Sequence, residues 1–192
     1  VSIAVSFEAT LRDYAIEEKI GFSCTKGCTH CCYYPVTISL LEGSRLYTAL
    51  VEAGRWTPSM RRKCEELSKR LIALAPQVWL LSMTPCPLLN AEGACMVYDE
   101  RPLHCRTAFS VDDPDLCHPH RTRDGSGILP KTDPLNELAV VEEVELKRLG
   151  AKRILVPIAT ALVVADKMEA DGCDVTRAYE AIMRSYTEAL HQ

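Results

Sequence analysis

Apolar residues recur at helical spacing over most of the chain, and the exceptions are stretches dense in cysteine, proline and glycine. Leu40, Leu41, Leu46 and Leu50 mark one stripe of a 3.6-residue repeat. Ser39 and Glu42 stand before it in capping-box order and Gly54 follows it, so a helix is predicted from Ser39 to Ala53. Thr57 and Pro58 open a second helix, with Met60, Cys64, Leu67, Leu71 and Leu74 on its apolar face and Pro76 interrupting it ahead of Trp79 and Leu80. A leading helix is expected over Ser6–Ile20, from Phe7, Leu11, Tyr14, Ala15 and Ile20. Beyond the middle of the chain, three more helices are expected: Asp133 to Gly150, Pro157 to Glu169, and one capped by Asp174 that runs to about Leu190. The longest apolar run, Ile154 to Ala165, is broken by Pro157 and Thr160 and is short of a membrane span, so it reads as a buried helix.

The intervening pieces read differently. Cys86 to Tyr98 suggests two short extended runs joined by a turn at Asn90–Gly93, which would bring Cys86 and Cys95 together. Asp99 is placed to cap a short helix over Glu100–Phe109, and residues 118–133, with Pro119, Gly125, Gly127 and Pro130, form a loop. The expected fold class is mainly α: a single helical domain, residues 1–192, organised round a cysteine-rich metal-binding loop with a small β-hairpin. Within it, residues 21–117 form the metal-binding core and residues 133–192 a C-terminal helical part.

Charge narrows the partners. The 192 residues carry a formal net charge of -4, which provides no basic field for nucleic acid or an anionic membrane, so an unidentified protein or small-molecule substrate is expected instead. Ten cysteines could form a disulfide framework, but such frameworks serve mainly small secreted domains, and this chain has apolar helices enough to build a core. Val1 to Phe7 lack the charged and apolar regions of a secretory signal. Reduced thiols and a cytoplasmic location are the expectation.

The chemistry concentrates in Cys24, Cys28, Cys31 and Cys32, four cysteines within nine residues, with Gly21 and Gly27 giving the turn its freedom. Gaps of two or three residues let thiols fold round one centre, and soft thiolate selects zinc, copper(I) or iron–sulfur clusters over calcium or magnesium. Cys86, Cys95, Cys105 and Cys117 form a second, looser group. Cys64 lies on an apolar helix face and reads as a small core residue, and Cys173 sits in the Asp171–Asp174 turn without a role. Eight candidate ligands fit two closed zinc sites, or one four-iron four-sulfur (4Fe-4S) cluster with thiols to spare. His30, His118 and His120 lie beside cysteines but are outnumbered by thiols, and read as donors around the centre or as surface groups. Arg101 and Arg106 flank Cys105 and are candidate cofactor-binding groups, offsetting thiolate charge or holding a carboxylate. Tyr33 and Tyr34 could shield the centre from water or be ordinary core residues.

Two resemblances bear on this pattern. Cys24-x-x-x-Cys28-x-x-Cys31 coincides with the signature of radical S-adenosylmethionine enzymes, but those are built from strand–helix repeats and this chain reads as helical. A longer stretch, Cys24 to Cys117, resembles the YkgJ-type cysteine-cluster family, whose members are described as chelating zinc or iron. The resemblance rests on Cys24-x-x-x-Cys28-x-x-Cys31-Cys32, Cys86-Pro-Leu-Leu, Gly-Ala-Cys95-Met-Val-Tyr98 and Arg101-Pro102-x-x-Cys105-Arg106, in that order, with one more residue in the first gap than the commonest spacing. Through its cysteines that family is similar to the flagellin lysine N-methylases, proteins thought to use an iron–sulfur cluster and S-adenosylmethionine. The resemblance therefore implies a metal-binding protein, with a 4Fe-4S cluster in redox or S-adenosylmethionine-dependent modification as one expectation. The enzyme class would then be an iron–sulfur oxidoreductase or a methyltransferase. The alternative is a zinc-binding structural or interaction module without catalysis.

Overall fold

The computed structural model describes residues 26–34, 36–72, 74, 78–79, 82–108, 117, 140, 143–144, 146–148, 153–174, 176–178, 180–181 and 184. The expected leading helix over Ser6–Ile20, the loop over 118–133 and Cys24 lie outside them. Helix α1 spans Leu40–Glu52 and begins with the anticipated capping box: the Ser39 hydroxyl accepts from the Glu42 amide at 3.2 Å, and the Glu42 carboxylate accepts from the Ser39 amide at 3.2 Å. Two otherwise orphaned donors are satisfied reciprocally. The chain leaves the helix through Gly54 at φ +64, a left-handed conformation natural to glycine. Helix α2 spans Pro58–Ile72, and Thr57 caps it by accepting from Met60 at 3.2 Å. Met60, Cys64 and Leu71 on its face are buried as the apolar spacing requires.

The apolar run from Ile154 does not form one helix. Leu155–Pro157 is strand β2, and helix α4 starts only at Ile158 and continues to Asp171. β2 pairs antiparallel with β1, Thr37–Ser39, in the register Thr37 with Pro157, Ile38 with Val156 and Ser39 with Leu155. Pro157, lacking an N–H, stands at the end of the strand where the ladder stops. The partner strand is far away in sequence, so no local periodicity could announce the pair.

α4 is apolar nearly all round its first turns because it lies between α1 and α2: Ile158, Ala159, Thr160, Ala161 and Leu162 are all buried. Small residues set the approach to α1. A Cβ added to Gly43 would stand 2.6 Å from the Ala161 Cβ, inside any tolerable contact, so glycine is what lets the two helices close. Ile38, Leu46, Leu50, Cys64, Leu88, Val156 and Leu162 complete the core, each large aliphatic contributing roughly 1.5–3 kcal/mol on burial.

Several polar groups in this packing are matched, although the Ser44 hydroxyl of α1 is buried without a hydrogen-bond partner among the described residues. Asp166 of α4 accepts from Trp56 Nε1 at 2.8 Å, from Arg61 Nε of α2 at 2.6 Å and from the Tyr47 hydroxyl of α1 at 3.3 Å. One carboxylate thereby ties three helices, with the Tyr47 and Trp56 rings edge-on at 5.4 Å beside it. Ser68 and Thr160 share a buried hydroxyl–hydroxyl bond of 2.9 Å. After α4, Gly172 at φ +59 turns the chain, and Asp174 accepts from the Arg177 amide at 3.0 Å, the expected start of the next helix. Cys173 lies in that turn, half-buried. Among the described residues no helix is long and apolar enough to cross a membrane.

Candidate metal centre

The first cysteine segment is shaped by a turn at Lys26–Gly27, with Gly27 at φ +102, a conformation that side chains rarely adopt. His30–Tyr33 then form one 3₁₀ turn, closed by Cys32 N–H donating to Thr29 O at 2.9 Å and Tyr34 N–H to Cys31 O at 3.2 Å. The tight turn carries Cys31 and Cys32 as consecutive residues, and both face the same cavity.

The second segment is docked on the first through the backbone: Cys86 N–H donates to Cys32 O at 2.7 Å. From Cys86 the chain makes the anticipated turn. Leu89 bridges antiparallel to Cys95, Met96 N–H donates to Leu88 O at 2.9 Å, and the Asn90 side chain accepts from the Ala94 amide at 2.7 Å. Gly93 at φ +72 completes it, bringing Cys86 and Cys95 to the same wall. Basic side chains hold this loop from outside. Lys63 of α2 donates to Pro87 O at 3.0 Å, and Arg55 donates to Met96 O.

The third segment departs from the sequence expectation. In place of a helix over Glu100–Phe109 capped by Asp99, there is a 3₁₀ turn at Tyr98–Glu100, an extended Arg101-Pro102, and a one-turn helix α3 at Leu103–Thr107. Pro102 disfavours the helical conformation at Arg101, which takes ψ 143. The role foreseen for Asp99 passes to Glu42, whose second carboxylate oxygen accepts from Leu103 N–H at 2.8 Å. Glu42 therefore closes the start of α1 and the start of the helix that carries Cys105. Arg106 is buried, donating to the carbonyls of Arg101, at 2.9 Å, and Asp99, so its guanidinium shapes the backbone under Arg101.

These segments surround a cavity of about 320 Å³. Cys28, Cys31, Cys32, Cys86, Cys95 and Cys105 all line it. The rest of the wall includes the apolar Val36, Leu88, Ile158 and Ala108, together with Tyr34, Tyr98, Arg101 and His104. Two of the eight candidate ligands are not among the described lining residues: Cys24 lies outside the described residues, and Cys117 is buried, its carbonyl accepting from the hydroxyl of the lining residue Tyr34 at 3.5 Å. Cys64 is fully buried in the core, as its helix face predicts. His30 is half-buried in the 3₁₀ turn but does not line the cavity, and His118 and His120 are outside the described residues. Of the two tyrosines considered as shields, Tyr34 lines it and Tyr33 does not. His104 stands in the sequence on the same short segment as Cys105, and Tyr98 closes the Cys95-Met-Val-Tyr98 motif, but neither is given a role there, and Ile158 appears only within the apolar run.

Electrostatics bear on what such a wall can bind. Hydrogen bonding to Cys32, then burial, pushes the Cys31 thiol far up, while Arg101 opposes the shift. Burial raises Cys86, with Cys105 and Cys95 adding repulsion, and burial likewise raises Cys95. Cys105 is pushed up to about 12, by burial first and then by Cys31 and Cys95, and Arg101 again pulls down. These thiols therefore repel one another as anions, and a cation is what would relieve them. Arg101 is the fixed positive charge common to Cys31, Cys95 and Cys105. Its guanidinium lies over the Tyr98 ring at 3.7 Å and its Nε donates to Tyr98 O at 2.9 Å, which holds it at the wall. Among the described residues no three His, Cys, Asp or Glu side chains already converge as a ligand set. None of the described cysteines is in a disulfide. A donor set of free thiols in an apolar wall with one guanidinium fits a soft, thiophilic metal and no hard one.

A family model described as "CxxCxxCC: Putative zinc- or iron-chelating domain" matches residues 23–124, just over half of the chain. The matched stretch contains all three cysteine-bearing segments and both helices that brace them. No curated protein and no solved structure matches the chain.

Proposed function

The chain belongs to the CxxCxxCC family of zinc- or iron-chelating domains, and from that premise we propose that its thiols hold an iron–sulfur cluster of the 4Fe-4S type, serving redox or S-adenosylmethionine-dependent modification of a substrate. One observation carries this reading: six thiols from three separate segments share the wall of a single cavity of about 320 Å³. A closed zinc site draws four thiolates to about 2.3 Å from one ion. It would leave much of this cavity unfilled, whereas a polynuclear cluster occupies such a space and is ligated by thiolate. The ligands would come from Cys24, Cys28, Cys31, Cys32, Cys86, Cys95, Cys105 and Cys117. Arg101 would offset their charge, with Arg106 holding the backbone beneath it. A cluster of this kind supplies electron transfer or an iron site open to a cofactor. Reduced thiols suit a cytoplasmic protein, and the packing of α4 on α1 and α2 suits one domain in which the C-terminal helical part braces the centre.

A second reading, a zinc-stapled interaction module, is favoured by the raised thiols, which a closed thiolate site would neutralise equally well. Metal and acid-labile sulfide analysis of protein purified without oxygen, with its visible spectrum, separates the two. Iron and sulfide at about four each per chain are expected; about two zinc ions without sulfide would replace the first reading by the second.

A further inference from the structure

We propose that the outward face of α2 docks a small acidic electron-carrier protein beside the cysteine centre, with Arg62 and Lys69 as its contact residues and Lys63 and Arg70 supplying the field that draws it in. This inference rests on the iron–sulfur reading of the centre and names the kind of partner with which that centre exchanges electrons.

Charge is placed unevenly along the chain. Residues 55–72, which are α2 and its approach, hold six Lys or Arg against two Glu, whereas the other 16 Lys or Arg are outnumbered by 24 Asp or Glu. Of the six, Arg61 is paired with Asp166. Arg55, Arg62, Lys63, Lys69 and Arg70 are exposed and have no carboxylate partner among the described residues. Glu65 and Glu66 interrupt this face without cancelling it. Helical geometry sorts the cations. Met60, Cys64 and Leu71 turn inward, so Arg62 and Lys69, seven residues apart, stand together on the opposite side. Lys63 and Arg70 lie on the flank and reach the segment that carries Cys86, Lys63 donating to Pro87 O at 3.0 Å and Arg70 to the Thr84 hydroxyl. Both acceptors are neutral, so both positive charges remain.

The sign of this face specifies the partner. A thiolate-ligated centre is negative and so is the rest of the chain, and both repel an acidic protein. The sign reverses on α2, directly outside the Cys86 segment, so an acidic carrier is admitted at one face and turned away elsewhere. The face is also the right size. The 15 residues of α2 extend roughly 22 Å, which suits the small, short-lived interfaces of electron-transfer encounters, below about 1,200 Å². The exchange makes and breaks no bond: one electron leaves the carrier and one enters the centre.

The test uses the anaerobically purified full chain, with metal and sulfide assayed on the same sample, and flavodoxin, a small acidic flavin carrier, as the probe. Binding of oxidised flavodoxin is followed calorimetrically, and electron transfer from reduced flavodoxin by the visible spectrum. Saturable binding is expected, weakening at least about tenfold between about 50 mM and about 300 mM salt. Arg62→Glu combined with Lys69→Glu is expected to weaken binding at least about tenfold at the lower salt and to slow reduction of the centre, with iron and sulfide at the wild-type level. Lys147→Glu, the same change of charge at an exposed site outside α2, is expected to alter binding less than about twofold. No saturable binding, an unchanged affinity in the double variant, an equal loss in Lys147→Glu, or preference for a DNA duplex over flavodoxin would each overturn the proposal. Iron and sulfide without binding would overturn it alone, whereas zinc without sulfide would remove the iron–sulfur reading and the electron carrier together.

Discussion

The amide of Cys86 donates to the carbonyl of Cys32 at 2.7 Å, joining the two cysteine-bearing segments through the backbone. The juxtaposition of their thiols is thus written into a hydrogen bond that needs no metal. We expect the Cys86 amide to exchange slowly with solvent in metal-free protein, markedly more slowly than that of the exposed Lys26, when followed by hydrogen exchange. Equal exchange at the two would show that metal, and not the fold, brings the segments together.

Metal ligands and core cysteines should separate cleanly on substitution. Cys86→Ser and Cys105→Ser are expected to lose metal, because both thiols face the cavity. Cys64→Ala should retain the full complement and lose on the order of 1 kcal/mol of stability from a buried contact in α2. Elemental analysis with urea denaturation checks all three, and metal release by Cys64→Ala would contradict its place in the core.

The contact of α1 with α4 predicts a reciprocal pair. Gly43→Ala gains helix propensity but drives its Cβ to 2.6 Å from the Ala161 Cβ, so a net loss of roughly 1–3 kcal/mol is expected. Adding Ala161→Gly should recover part of that loss. Denaturation midpoints of the two single variants and the double variant measure the coupling, and simple additivity would refute it.

Glu42 serves two helix starts at once, Ser39 N–H at 3.2 Å and Leu103 N–H at 2.8 Å. Glu42→Ala should therefore cost about 1–2 kcal/mol, comparable to the loss of a helix cap, and should also loosen α3 and its Cys105. Faster metal transfer to a competing chelator than in wild type, measured alongside stability, would report the second effect. Lost stability with unchanged transfer would confine Glu42 to capping α1.

Acidity separates the metal-free from the metal-loaded protein. Burial raises the Cys105 and Cys64 thiols from 9.0 to about 12, so the folded metal-free chain holds these protons more tightly than the unfolded chain. That contribution is fully present below pH 9 and is lost as pH rises towards 12. The melting temperature of metal-free protein is expected to fall above pH 9. Ligated thiols carry no proton, so the metal-loaded form should be less sensitive there and should instead release metal on acidification. Parallel melting curves from pH 5 to 10, with metal release followed at each pH, test both directions.

What was legible in the sequence is what partners within a few residues decide. Ser39 with Glu42, Thr57 with Met60, and the turn at Asn90–Gly93 are local hydrogen-bonding patterns, and each stands where its spacing puts it. The burial of Cys64 followed in the same way from the helical repeat around it. The eight candidate thiols could be named from spacing and resemblance, but spacing could not say which of them share a wall.

Tertiary structure decided the rest because the deciding partner lies far along the chain. Val156 is strand and not helix because Ile38 offers it a pairing edge. α3 begins at Leu103 because Pro102 blocks an earlier start and a carboxylate from α1 receives its first amide. Arg101 and Arg106 both flank Cys105 in the sequence, yet one guanidinium lies at the cavity wall over Tyr98 and the other donates to backbone carbonyls. A local pattern can nominate a ligand or a cation; only packing between distant segments determines which surface it faces.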